Sequence, residues 1–397
     1  MAEAGAENAE RASAAYMTRE RLGVSLLFLM NGFMIGAWAP KIPEFATRLG
    51  LDAQALGLMI LTFGLGSVIM MPIAGNRIAR YGSSAVSKVT AVLLTPTLLI
   101  LSLVGSIWTG ALAVCLFGGL IGAMDVAMNA NAVSTERGMR RAIMSSCHAF
   151  WSLGGLIGSF TGGFLIQSIG MVPHAVFVTF VAALMVIAAW RIVLRDAPHP
   201  DERHDAARRR LPRSPLPWLL GILALFSMIP EGAILDWGAL YLRDELSASV
   251  TASGFAFAGF SLTMAVMRFL GDIVRDRLGA VMTLRICGGI AICGLLLIGF
   301  AANIPMAIVG FALAGIGISN MVPIAFSAAG NLPGMAPGVG LSVVTTMGYS
   351  GILVAPSAIG FVAHLTGLGA IFAGLSILLV VALLLSSLAR HADGAHH

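Results

Sequence analysis

The sequence predicts an all-α membrane protein of twelve transmembrane helices, arranged as two pseudo-symmetric six-helix bundles. Three observations carry this prediction. Apolar residues make up 58% of the 397-residue chain and charged residues 11%, with a mean hydropathy of +0.90; a soluble domain carries about a quarter charged residues. Twelve apolar segments are long enough to cross roughly 30 Å of hydrocarbon, which takes about 20 helical residues. One polar stretch, "RDAPHPDERHDAARRRLPRSP" (195–215), divides those segments six and six.

Taken in order, residues 1–21 are polar, with Glu3, Glu7, Glu10, Arg11, Arg19 and Glu20. A cleavable signal peptide has a basic start followed directly by an apolar core, so this segment is read as a tail. The N-terminal bundle, 22–194, holds apolar segments at 22–40, 54–78, 85–107, 110–134, 143–167 and 173–194. The linker, 195–215, is rich in charge and proline, as a solvated connection is. Its run Arg208–Arg210 follows from the positive-inside bias. The C-terminal bundle, 216–389, holds segments at 216–242, 252–274, 281–302, 304–328, 338–363 and 367–389, and a tail, 390–397, closes the chain. All but three of the 24 Lys and Arg residues (Lys41, Arg48 and Arg243) fall on one side of this topology. That bias makes both termini cytoplasmic and the expected location a bacterial-type cytoplasmic (inner) membrane. The four cysteines, Cys115, Cys147, Cys287 and Cys293, lack metal-ligand spacing and are read as reduced packing residues. The basic residues sit in loops, so no nucleic-acid partner is expected.

The halves repeat each other weakly. Trp38 precedes Gly75 of "AGNRIARYG" much as Trp237 precedes Gly271 of "LGDIVRDRLG". "IGAMD" in the fourth segment faces "IGISN" in the tenth, and "QSIG" at the end of the fifth faces "HLTG" at the end of the eleventh. Two six-helix halves related by an axis along the membrane normal are a transporter architecture. On these features the chain resembles the major facilitator superfamily over nearly its whole length. That family's loop pattern is roughly Gly, three residues, Asp, Arg, one residue, Gly. The second half offers "RFLGDIVRDRLG" with one extra residue before Asp276; the first offers "GNRIARYG" with Ala79 at the Asp position. The resemblance implies gating loops at Gly75, Arg77, Arg80 and Gly82, and at Arg268, Asp272, Asp276, Arg277 and Gly279. The run "DVAMNANAV…ERG…SSCHAFWSLGGLIG" is similar to a bacterial inner-membrane subgroup near the fucose–proton symporters.

Asp125 is the first candidate for chemistry. Gly118, Gly122, Asp125 and Asn129 follow at steps of four, three and four residues, so they share one helix face. The glycines let another helix approach, which turns this face inward. A charged carboxylate at mid-depth is costly, and Arg268 is read as lying near the cytoplasmic end of its helix, leaving no cation at that depth. The low-cost state is then a protonated carboxyl that ionises when water reaches it. Glu231 and Asp236 form a second acidic pair in "SMIPEGAILDWGALYL", where Pro230 and Gly232 suggest a kink or local unwinding. His148 could relay a proton. Asn31, Asn129 and Asn320 both donate and accept hydrogen bonds; with Trp38, Trp151, Trp237 and Tyr349 they are the candidate substrate contacts. Static helix–helix hydrogen bonds are the competing role for the amides, and interface anchoring for Trp38 and Trp237. The stripe Gly154, Gly158, Gly162 is read as helix packing.

No Gly-x-x-x-x-Gly-Lys-Ser/Thr motif, metal cluster or nucleophile constellation is present, so no enzyme, cofactor or metal is expected. The expected function is secondary transport by alternating access, with protons (or sodium) as the coupling ion. The expected solute is small, neutral and sugar-like, because deep cations for an anion are missing from this reading. Proton-antiport efflux of lipophilic or cationic compounds is the alternative. The expected partners are the lipid bilayer and the small solute, with the protein acting as a monomer.

Overall fold

The computed structural model describes residues 17–51, 53–196, 212–248 and 250–395. The first sixteen residues, most of the linker with its Arg208–Arg210 run, and the end of the C-terminal tail lie outside them. The predicted crossings are helical because a backbone in hydrocarbon must satisfy its own N–H and C=O groups, which a helix does within one segment.

The first half holds α1 (Arg19–Trp38), the short α2 (Ile42–Leu49), α3 (Ala53–Tyr81), α4 (Ser83–Leu94), α5 (Thr97–Leu103), α6 (Ile107–Met139), α7 (Met144–Ile169) and α8 (Met171–Trp190). The second holds α9 (Leu216–Asp244), α10 (Val250–Leu278), α11 (Ala280–Gly299), α12 (Ile304–Ile318), α13 (Met321–Gly330), α14 (Pro337–Thr366) and α15 (Leu368–Leu384), then the 3-10 segment Ser386–Ala395. Among the described residues, ten stretches are long and apolar enough to cross a membrane; α15 and the segment after it add one, bent by 52°. The 29-residue α10 makes the twelfth. The helix ends at Arg19, Tyr81, Met139, Trp190, Leu216, Leu278, Gly330 and Leu384 therefore share one side, the terminus face.

Two spans that read as continuous are broken. α4 and α5 meet at Thr95–Pro96, and α12 and α13 meet at Ser319–Asn320. The unwinding expected around Pro230 does not occur: α9 runs through it as one helix. Within the first half α1 packs on α7 and α3 on α6; within the second α9 packs on α14 and α11 on α12. The glycine stripe of α7 sets the first contact. A Cβ on Gly154 would lie 2.1 Å from Leu29 O, and one on Gly158 2.4 Å from Phe33 O. The halves meet where α3 touches α14 and α7 touches α10.

Candidate functional site

Asp125 stands fourteen residues from the end of α6, about 21 Å along the axis. Its glycine neighbours bring α3 close: a Cβ on Gly118 would lie 2.1 Å from Phe63 O. Asp125 is 3% exposed. Asn129 Nδ2 donates to Asp125 Oδ1 at 3.3 Å and to its carbonyl at 2.8 Å. Among the described residues, Asp125 Oδ2 and Asn129 Oδ1 have no hydrogen-bond partner.

Glu231 sits midway along α9, and here the structure corrects the sequence reading. Arg268 lies ten residues from the end of α10, about 15 Å deep, and its Nη2 is 3.2 Å from Glu231 Oε1. The acidic group on the second half therefore has a basic companion, supplied by the neighbouring helix. Arg268 Nη1 also donates to Ser152 Oγ of α7 at 2.9 Å, so the guanidinium bridges the two halves. Tyr349 on α14 is within electrostatic reach of Asp125, Glu231 and Arg268. His148 feels Arg268 and rests between the rings of Phe28 and Phe326. Asp125, His148, Glu231, Arg268 and Tyr349 thus gather in one zone between the halves.

The other candidates lie elsewhere. Trp151 Nε1 donates to Asn31 Oδ1 at 2.9 Å, and Asn31 Nδ2 donates to Ile121 O at 3.3 Å, which ties α1, α6 and α7 together. Asn320 is fully buried at the α12–α13 break, where a Cβ on Gly271 would come within 1.8 Å of its Oδ1. Trp38 packs edge-on against Phe45 and Phe117. Trp237 lies beside Gly360, and Asp236 is exposed at the far face.

The gating residues divide unequally. In the second half, Asp272 accepts from Ser145 N at 2.9 Å and Ser146 N at 3.0 Å, capping the start of α7 across the interface. Asp276 accepts from Ala142 N at 3.0 Å and pairs with Arg141 at 3.5 Å. In the first half a glycine contact stands instead: a Cβ on Gly75 would lie 2.6 Å from Gly338 O and from Ser342. Arg77, Arg80 and Arg277 are exposed, Arg80 lying over the Tyr81 ring. Gly82 and Gly279 hold positive φ (83° and 75°) at the starts of α4 and α11.

A fully enclosed ion pair between the halves escaped the sequence reading. Glu136 of α6 and Arg275 of α10 are fully enclosed and 2.8 Å apart. Glu136 also accepts from Ile143 N at 3.0 Å and from Ser327 Oγ of α13. Arg275 further contacts Asp393 at 3.5 Å, and Arg137 donates to Gly330 O at 2.6 Å and to Asn331. Arg21 reaches Ser146 Oγ at 2.8 Å and Asp272 at 3.8 Å. One signal for Glu136 was present: it follows Asp125 by eleven residues, three helical turns along the same inward face. These contacts close the terminus face. The zone around Glu231 lies beyond them.

The family model of the Major Facilitator Superfamily matches residues 24–241 and 220–396. An uncharacterized MFS-type transporter of Yersinia pestis is 35% identical over 368 residues, covering 91% of this chain and 93% of that protein. The membrane protein MosC of Rhizobium meliloti is 31% identical over 350 residues, 87% of this chain and 84% of its own. The fold is similar to that of FucP, the E. coli fucose:proton symporter, with a TM-score of 0.78 at 15% identity, covering 93% of this chain and 98% of that one.

Proposed function

The chain belongs to the Major Facilitator Superfamily, and on that premise we propose that it is a proton-coupled secondary transporter. It carries a small polar solute across a bacterial cytoplasmic membrane by alternating access between its halves. The Lys and Arg distribution supports a cytoplasmic terminus face. One observation carries the proton coupling: Asp125 and Glu231, one from each half, stand at mid-depth in the zone where the halves meet, both within reach of Tyr349. Rocking the halves changes which solvent reaches each acid. An acid that exchanges protons with opposite solvents in the two states couples proton movement to the cycle. Among the described residues Asp125 bonds the Asn129 amide and no basic side chain, and Glu231 has Arg268, which protonation sets free.

Reconstitution in liposomes with an internal pH dye and a panel of polar solutes tests this. Solute-dependent proton flux that disappears in Asp125→Asn, with an unchanged gel-filtration profile, supports the proposal. Flux that persists unaltered in both Asp125→Asn and Glu231→Gln ends it. Proton movement with the solute marks symport; movement against it marks antiport efflux.

A further inference from the structure

We infer that the transported solute bears a carboxylate, received by Arg268 when Glu231 takes up the proton. This rests on the proton-coupled reading above and narrows its substrate.

The charged groups of the zone differ in access. Asp125 is 3% exposed and its free Oδ2 is closed off. The Glu231 side chain is 21% exposed and that of Arg268 7%, with Ser152 and His148 half-buried beside them. A solute entering between the halves therefore meets the Glu231–Arg268 pair. That pair is loosely made. A guanidinium presents five N–H donors in a fixed fork, and its strong bonds to a carboxylate are bidentate. Here Glu231 takes one nitrogen at 3.2 Å, Ser152 takes another, and the buried Nε has no hydrogen-bond partner among the described residues. His148 Nε2, near the same guanidinium, is also without one. The candidate amides of the first half do not fill this gap: Asn129 donates to Asp125, and Asn31, outside the zone, is engaged by Trp151.

Charge balance then selects the solute. Glu231 and Arg268 together are neutral. A proton on Glu231 leaves the enclosed guanidinium without a counter-charge, which is strongly unfavourable. A neutral sugar does not repair that, and a cation makes it worse. A solute carboxylate repairs it: the proton rests on a Glu231 oxygen, and the solute's two oxygens take the Arg268 fork. One proton then moves with one monoanion, and the loaded carrier bears no added charge. Because Arg268 also bonds Ser152 of the other half, arrival of the carboxylate is felt at the contact that joins the halves.

The test uses the full-length protein in liposomes. The probes are gluconate, glucuronate and lactate, their uncharged counterparts glucitol, glucose and propane-1,2-diol, and glucosamine as a cation. Carboxylates are expected to drive proton uptake and to move at a rate indifferent to a potassium–valinomycin potential. Arg268→Lys, which keeps the charge but loses the fork, is expected to raise their KM about tenfold or more. Glu231→Gln is expected to permit carboxylate exchange while abolishing proton-driven accumulation. Thermal stabilisation of the purified protein by the same solutes gives a readout independent of flux. Proton-coupled movement of the uncharged or cationic members overturns the carboxylate assignment and leaves the proton coupling standing. Carboxylate movement without any proton overturns the coupling instead. A panel in which no carboxylate moves or stabilises the protein overturns the inference.

Discussion

Asp125 and Glu231 solve the same problem, an acid in hydrocarbon, in opposite ways, and substitution separates them. Among the described residues the Asp125 carboxyl bonds the Asn129 amide of its own helix alone, so an amide of equal size costs the fold little. Asp125→Asn is expected to leave the unfolding free energy in detergent within about 0.5 kcal/mol of wild type or above it, with a correspondingly unlowered melting point, while removing the proton site. Glu231→Gln strips Arg268 of its counter-ion. A fully buried pair broken this way loses about 3–5 kcal/mol; with Glu231 partly solvated, about 1–3 kcal/mol is expected. Equal melting points for the two variants would show that the Glu231–Arg268 bond does not support the fold. Asp125 was legible because its own helix records its depth and its glycine-lined face. The Arg268 contact was not, because the two partners lie 37 residues apart on different helices. Depth counted along one helix is silent on what its neighbour brings alongside.

At the scale of elements, the starts of several helices share a device: a carboxylate from a distant segment accepts the unpaired amides of the first turn. Asp196 takes Ser83 N and Ser84 N at 2.8 Å each, and Asp393 takes Ala280 N at 2.8 Å. The same separation, 113 residues, links Ser83 to Asp196 and Ala280 to Asp393, so the internal repeat reappears as matched caps. Glu245 does the same for Leu368 and Gly369 at the far face. Asp196→Asn is expected to cost about 1 kcal/mol and to speed hydrogen exchange at Ser83 and Ser84. Asp393→Asn is expected to cost more, since Asp393 also pairs with Arg275; equal losses would deny that pairing any weight. The breaks inside spans were illegible for a related reason. Pro72, Pro230 and Pro356 all lie inside unbroken helices, yet α4 gives way to α5 at Pro96. In a membrane, neighbouring helices and side chains re-satisfy the backbone groups that proline frees, so the tertiary setting decides which proline interrupts.

For the whole molecule, the question is what holds the terminus face shut, and the two seams between the halves answer differently. The α7–α10 seam is closed by charge: Asp272 on the first amides of α7, with the enclosed Glu136–Arg275 pair beside it. The α3–α14 seam is closed by shape, with Gly75 against the backbone of Gly338. The departure at Ala79 fits this asymmetry, since the first half uses a close backbone contact where the second uses acids. Each seam can therefore be opened by its own substitution. Gly75→Val puts branched carbon where 2.6 Å separates even a Cβ from Gly338 O, and neither backbone can give way cheaply. Glu136→Gln removes the nearest counter-ion of an enclosed arginine, leaving it Asp393 at 3.5 Å and the more distant Asp272, at a cost to the closed state of about 3 kcal/mol. A shift of that size moves a two-state population by roughly a hundredfold. Spin labels at Arg80→Cys and Arg277→Cys, exposed on the terminus face of opposite halves, in a background without the four native cysteines, are expected to report a longer distance in either variant. The combination is expected to be open under all conditions. An unchanged distance distribution in both single variants would mean that neither the Gly75 contact nor the Glu136–Arg275 pair governs access to the zone around Glu231, and that the remaining apolar packing of the two seams holds the face shut.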